Sequence, residues 1–132
     1  MKKNEEIVRQ AMQVIWNDGD ISRVDEFYAK DFEADYPITD WGLGLEGVSA
    51  LVTQVHRDLP GYAEEIVELI DAGDNVVVML SISGCHPTTK EHIKFRDVTI
   101  LTLKNEKIVH QRGLSDLLSL YLQLGAIALP SS

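Results

Sequence analysis

The sequence predicts a single α+β domain. Three N-terminal helices pack on one face of a strongly curved, mainly antiparallel sheet, a short C-terminal helix follows, and an apolar pocket is enclosed where the layers splay. Three observations predict this. Apolar residues recur at helical spacing before Pro60, and after Pro60-Gly61 the pattern changes to alternating and β-branched runs. Those later runs are joined by short turns, Asp71-Ala72-Gly73-Asp74-Asn75 and Lys104-Asn105-Glu106-Lys107, so consecutive strands pair as antiparallel hairpins. The 132 residues, 45% apolar and 25% charged, suit one globular domain spanning positions 1–132.

The elements follow in order. Asn4 is placed to cap a first helix, with Glu5 and Glu6 at the positive end of its dipole and Ile7, Val8, Ala11, Met12, Val14 and Ile15 on its apolar side. Asn17-Asp18-Gly19-Asp20 ends it, and Asp20 is placed to cap a short second helix carrying Val24, Phe27 and Tyr28. From Asp31 to Gly44 the chain reads as irregular or short-strand material. A third helix covers 46–58, with Val48, Leu51, Val52 and Val55 inward, and Pro60-Gly61 stops it. Strands are expected over 64–70, 76–83, 93–103 and 108–114, and Asp116 is placed to cap a final leucine-rich helix.

Charge narrows the partners. The formal net charge is −9, and Asp58 to Asp74 contains no Lys or Arg, so phosphate backbones and anionic lipid are repelled and neither nucleic acid nor membrane is expected. No apolar run approaches a membrane span, and the N-terminus turns acidic where a signal peptide needs apolar residues, so a cytoplasmic location is expected. Cys85 is the only cysteine, which rules out an intrachain disulfide and reads as a small buried side chain. Gly42-Leu43-Gly44-Leu45-Glu46-Gly47 satisfies G-x-G-x-x-G without a parallel βαβ unit around it, and the histidines lack short metal-ligand spacing. Neither metal nor nucleotide nor any other cofactor is expected.

The motifs together resemble a family. Trp16-Asn17-Asp18-Gly19-Asp20, Asp31-Phe32 with Tyr36-Pro37, Gly44-Leu45-Glu46-Gly47, Gly73-Asp74-Asn75-Val76 and Ser83-Gly84-Cys85-His86 stand in the right order, followed by Lys107-Ile108-Val109, Asp116 and Gln123-Leu124-Gly125. This series resembles the SnoaL-like polyketide and ester cyclases, a branch of the cone-shaped fold named after nuclear transport factor 2. The resemblance covers nearly the whole chain and implies that fold.

The resemblance also implies a role for Asp116 as acid/base of an aldol-type ring closure, whereas its position between a strand and a helix reads equally as an N-cap. Without a bulge, residues 108, 110, 112 and 114 share one strand face, and Ile108 and Leu114 suggest that this face looks inward. His110 would then be a second proton carrier, and Arg112 a pocket residue favouring an anionic group; a water-facing or dimer-facing edge is the other reading. Where the cyclases often read E-H-W, this chain reads His110-Gln111-Arg112. Asp35 and Tyr36 stand where related enzymes place a pocket base, His86 matches the family's G-x-H histidine and reads as a mouth residue or a second proton carrier, and Trp41 stands near the entrance. His56 is expected to be exposed, and His92 carries no information.

The expectation is a cofactor-free acid/base enzyme of cyclase or isomerase type, acting on a small apolar carbonyl compound in the pocket. The alternative is a non-catalytic ligand-binding or interaction domain of the same fold. Leu117 to Ser132 carries no charge, and its leucines exceed one helix face, so some cover the pocket or meet a partner. A homodimer is expected, as is usual for the family.

Overall fold

The computed structural model describes residues 2–37 and 41–131. Residues 38–40, within the stretch read as irregular, lie outside the described residues. Helix α1, Asn4–Ala11, carries Glu5 and Glu6 in its first turn and buries Ile7, Val8 and Ala11. Its N-cap is Lys3 rather than Asn4. Asn4 is used differently: its Nδ2 donates to the Gly73 carbonyl at 2.9 Å, tying the helix to a distant turn. The helix continues as a π-helical turn, Met12–Asn17, in which the Asp18 N–H donates to the Gln13 carbonyl at 2.8 Å. This wider turn brings Met12, Ile15 and Trp16 into the interior together.

A 3-10 turn, Ile21–Arg23, leads into the short helix α2, Val24–Phe27. The Asp20 side chain caps neither; it accepts from Ser22 Oγ at 2.5 Å. Tyr28, expected on the second helix, instead opens strand β1, Tyr28–Asp35. β1 runs parallel to the last strand, with Glu33 opposite His110 and Asp35 opposite Arg112. A parallel pair between distant segments has no hairpin turn to announce it, so the local pattern left this strand ambiguous.

Helix α3, Gly44–Asp58, buries Gly47, Val48 and Val52. A Cβ at Gly47 would stand 1.8 Å from the Gly42 carbonyl oxygen, so the Gly42…Gly47 spacing serves a close backbone approach. Strands β2 (Ala63–Ala72), β3 (Asn75–Cys85), β4 (His92–Lys104) and β5 (Lys107–Ser115) precede helix α4, Leu117–Leu124. The sheet order is β1-β5-β4-β3-β2, antiparallel except for the β1–β5 pair. Alternate residues of β3 and β4, including Val76, Val78, Leu80, Ile93, Leu101 and Leu103, are buried against the helices. Each such aliphatic side chain contributes roughly 1.5–3 kcal/mol when fully buried.

Two side-chain amides stitch the layers. Asn17 Oδ1 accepts from the Glu64 N–H at 2.6 Å while its Nδ2 donates to the Glu64 carbonyl at 2.9 Å. Gln123 does the same for Lys94, accepting at 2.9 Å and donating at 2.7 Å. Among the described residues, no helix is long and apolar enough to cross a membrane.

Candidate active site

The register between β4 and β5 decides which polar residues face the helices. Lys104 pairs with Lys107 and Leu103 with Ile108, but Thr102 pairs with His110, so Val109 is an extra residue in β5. Such a bulge reverses side-chain parity along the strand. Ile108 is inward, and beyond the bulge the inward residue is Gln111, only 4% exposed. Leu114, expected inward, is 67% exposed. The unbulged alternation is corrected accordingly: His110 and Arg112 leave the inner face.

Between sheet and helices lies a cavity of about 150 Å³. Its apolar wall includes Met12 and Trp16 from the π-helical turn, Trp41, Leu51 and Val55 from α3, and Phe95 from β4. Trp41 stacks on Tyr36 with ring centroids 5.7 Å apart and planes 19° from parallel. The polar lining comes from Tyr36, Tyr62, Glu64, Asp97, Gln111 and Ser115. Among the described residues, no Lys, Arg or His lines the cavity.

Asp97 is 5% exposed on the inner face of β4. Burial raises its pKa, while hydrogen bonds from Ser115 and Tyr36 oppose the rise. Ser115 Oγ donates to Oδ2, and Tyr36 Oη donates to Oδ1 at 3.3 Å. Glu64 enters from β2. Its Oε2 accepts from Tyr62 Oη, and its Oε1 is sealed from solvent without a partner among the described residues. Desolvation pushes the Glu64 carboxyl up to about 8, the Tyr62 hydrogen bond pulls it down, and the nearby charge of Asp97 adds to the rise. Glu64 therefore keeps its proton near neutral pH, while the Asp97 carboxyl faces two hydrogen-bond donors that favour its charged form.

The residues singled out from sequence are distributed differently. Tyr36 and Trp41 line the cavity. Asp116 does not: it is exposed at the start of α4, where its Oδ1 accepts from the Ser119 N–H at 3.0 Å as an N-cap. His110, Arg112 and Asp35 lie apart from it as well. Arg112 Nη1 stands 3.4 Å from both Thr102 Oγ1 and His110 Nδ1, and Arg112 and Asp35 line a groove on the opposite face with Val98, Ile100 and Leu114. His86 is a structural tie: its Nδ1 accepts from the Thr88 and Thr89 N–H groups, and Nε2 lies 3.1 Å from the Leu124 carbonyl oxygen, so that nitrogen carries the donated proton. His56, expected to be exposed, is half-buried with Nε2 2.6 Å from the Trp16 carbonyl oxygen. Cys85 is half-buried rather than buried.

Sequence reasoning missed Asp97 and Glu64. A signal for Asp97 existed: Ile93, Phe95, Asp97, Thr99, Leu101 and Leu103 share one strand face, and a carboxylate among apolar residues of equal parity is costly unless used. Glu64 carried a weaker one, because a bulge between Ile66 and Glu68 interrupts the β2 alternation.

The family model for SnoaL-like polyketide cyclases matches residues 6–124 of the chain. Among solved structures, a proposed polyketide cyclase from Acidithiobacillus ferrooxidans superposes with a TM-score of 0.87 at 24% identity, covering 96% of this chain and 97% of that one. Another proposed polyketide cyclase, from Bacillus cereus, gives 0.83 at 29% identity, over 93% of this chain and 83% of that one. IdmH, a proposed polyketide cyclase from Streptomyces antibioticus, gives 0.84 at 17% identity, over 94% and 99%. No match to the chain is found among curated proteins.

Proposed function

The chain belongs to the SnoaL-like polyketide cyclase family, and on that premise we propose that it is a cofactor-free acid/base catalyst of cyclase or isomerase type, acting on a small apolar carbonyl compound held in the cavity. The observation that carries this reading is the pair of carboxyl groups, Asp97 and Glu64, lining one apolar cavity, Asp97 held by two hydrogen-bond donors and Glu64 raised by desolvation. Asp97 takes a proton from the carbon next to the substrate carbonyl. Ser115 and Tyr36 keep its carboxylate oriented. The electron pair left behind moves onto the carbonyl oxygen, where the Glu64 hydroxyl donates a hydrogen bond to the developing enolate. In an isomerisation Asp97 returns the proton to another carbon. In a ring closure the enolate carbon bonds to a second carbonyl carbon of the same molecule, and the new alkoxide takes the proton from Asp97.

Deuterium exchange tests this without knowledge of the substrate. Cyclohexanone incubated with the protein in heavy water should gain deuterium beside its carbonyl, followed by NMR. Asp97→Asn should slow the protein-dependent rate by roughly 100-fold or more. His110→Ala and Arg112→Ala should leave it within about twofold, because neither lines the cavity. Full exchange in Asp97→Asn would remove Asp97 from the chemistry.

A further inference from the structure

We propose that the cavity selects neutral, single-ring molecules carrying both a carbonyl and a hydroxyl group, and that Gln111 is the residue that reads the hydroxyl. This rests on the reading of Asp97 and Glu64 as the acid/base pair and adds a substrate class to it. Gln111 is 4% exposed, and its Nε2 donates to Tyr36 Oη at 3.3 Å. Tyr36 has one hydroxyl hydrogen, and that hydrogen is directed to Asp97 Oδ1. Tyr36 must therefore accept from Gln111, which sets the amide's orientation and leaves Oε1 as its free atom. That oxygen is buried, lies on a cavity-lining residue and has no partner among the described residues.

A buried acceptor without a donor is costly, and a ligand hydroxyl would recover the lost hydrogen bond. Glu64, another lining residue, carries a second buried oxygen, Oε1, without a partner among the described residues. Because Glu64 Oε2 already accepts from Tyr62, the proton of the neutral carboxyl sits on Oε1 and makes it a donor. A ligand that reaches these two oxygens would meet one donor, suited to a carbonyl oxygen, and one acceptor, suited to a hydroxyl. Its volume of about 150 Å³ matches that of an engineered apolar void that takes up benzene, which suits one ring rather than several fused ones. Among the described residues the lining holds no Lys, Arg or His, so a carboxylate ligand would lose its water without gaining a counter-charge.

The test is calorimetric binding of phenol and toluene, which differ by a hydroxyl and a methyl of similar size. Wild-type protein should hold phenol roughly tenfold more tightly than toluene. Gln111→Met should lose that preference while still binding toluene, which also reports an intact cavity. Equal binding of the two probes by the wild type overturns the proposal without any variant, and so does a preference that survives Gln111→Met. Benzoate should not bind. Benzoate binding, or tetramethylammonium held more tightly than phenol, overturns the selection for neutral ligands. If Asp97→Asn rather than Gln111→Met removes the phenol preference, Asp97 reads the hydroxyl, and this inference fails while the acid/base reading stands. If the preference follows Gln111 but the wild type exchanges no deuterium, hydroxyl recognition is supported and the acid/base reading is the one lost.

Discussion

The two faces of β4 and β5 carry polar residues of opposite character. On the inner face, Asp97 and Gln111 are at most 5% exposed, linked through Tyr36, and set in an apolar cavity. On the outer face, His110, Arg112 and Thr102 are partly exposed, and Arg112 Nη1 stands 3.4 Å from each of the other two side chains. By residue type alone the outer group looks the more reactive, since it holds a histidine and an arginine. Burial inverts that ranking. A carboxyl group buried in an apolar wall has its proton affinity changed by desolvation, whereas a half-exposed group keeps most of its hydration. Strand parity therefore matters more to the chemistry than side-chain type, and one extra residue, Val109, sets the parity of β5.

Three changes would break or sharpen this contrast, beginning with the largest. Gly113 separates the two faces at close quarters: a Cβ there would stand 2.3 Å from the Val98 carbonyl oxygen and 2.8 Å from Tyr36 Oη. Gly113→Ala should cost about 2–3 kcal/mol by denaturant unfolding and displace Tyr36 from Asp97. A variant as stable as wild type would contradict the tight seating of Tyr36 against β5.

The next effect is a pH dependence. In the folded protein the Glu64 carboxyl is raised from the ordinary 4.5 to about 8, so between these values the folded state holds a proton that the unfolded chain has released. The stability tied to this proton is complete below about 4.5, falls as pH rises through the window, and levels off above about 8. One proton limits the slope to about 1.4 kcal/mol per pH unit. Glu64→Gln keeps an acceptor for Tyr62 and should flatten that decline in a series of melting temperatures. An unchanged slope would show that Glu64 ionises normally.

The smallest effect belongs to the exposed carboxylate. Asp116→Ala removes the cap on the Ser119 N–H and should cost about 1 kcal/mol, with deuterium exchange into cyclohexanone unchanged. A loss of exchange comparable to that of Asp97→Asn would return Asp116 to the chemistry and undo the inner-face assignment.

The fold was legible because its signals are local. Helical spacing in α1 and α3, β-branched runs in β3 and β4, and short turns between hairpins place those elements within a few residues of their observed ends. The motifs behind the family resemblance also prove to be structural. Asn17 clamps the backbone of Glu64, Gln123 that of Lys94, and Gly125 ends α4 in the left-handed conformation with φ 74°. Such motifs mark how the chain folds and say little about what its cavity does.

The cavity's chemistry depended on contacts far apart in sequence. Tyr36 meets Asp97 across 61 positions and Gln111 across 75, and the parallel β1–β5 pair brings those segments together without a local turn. The bulge at Val109 exists only relative to the partner strand, so alternation within β5 alone pointed to His110 and Arg112. The sequence by itself determined the helices α1 and α3 and the hairpin strands, because propensity and spacing act over short range, and its motifs carried the resemblance to the family. Only the tertiary structure decided that Asp97 and Glu64 lose water while Asp116 keeps it, because desolvation belongs to the packed chain and not to any residue in it.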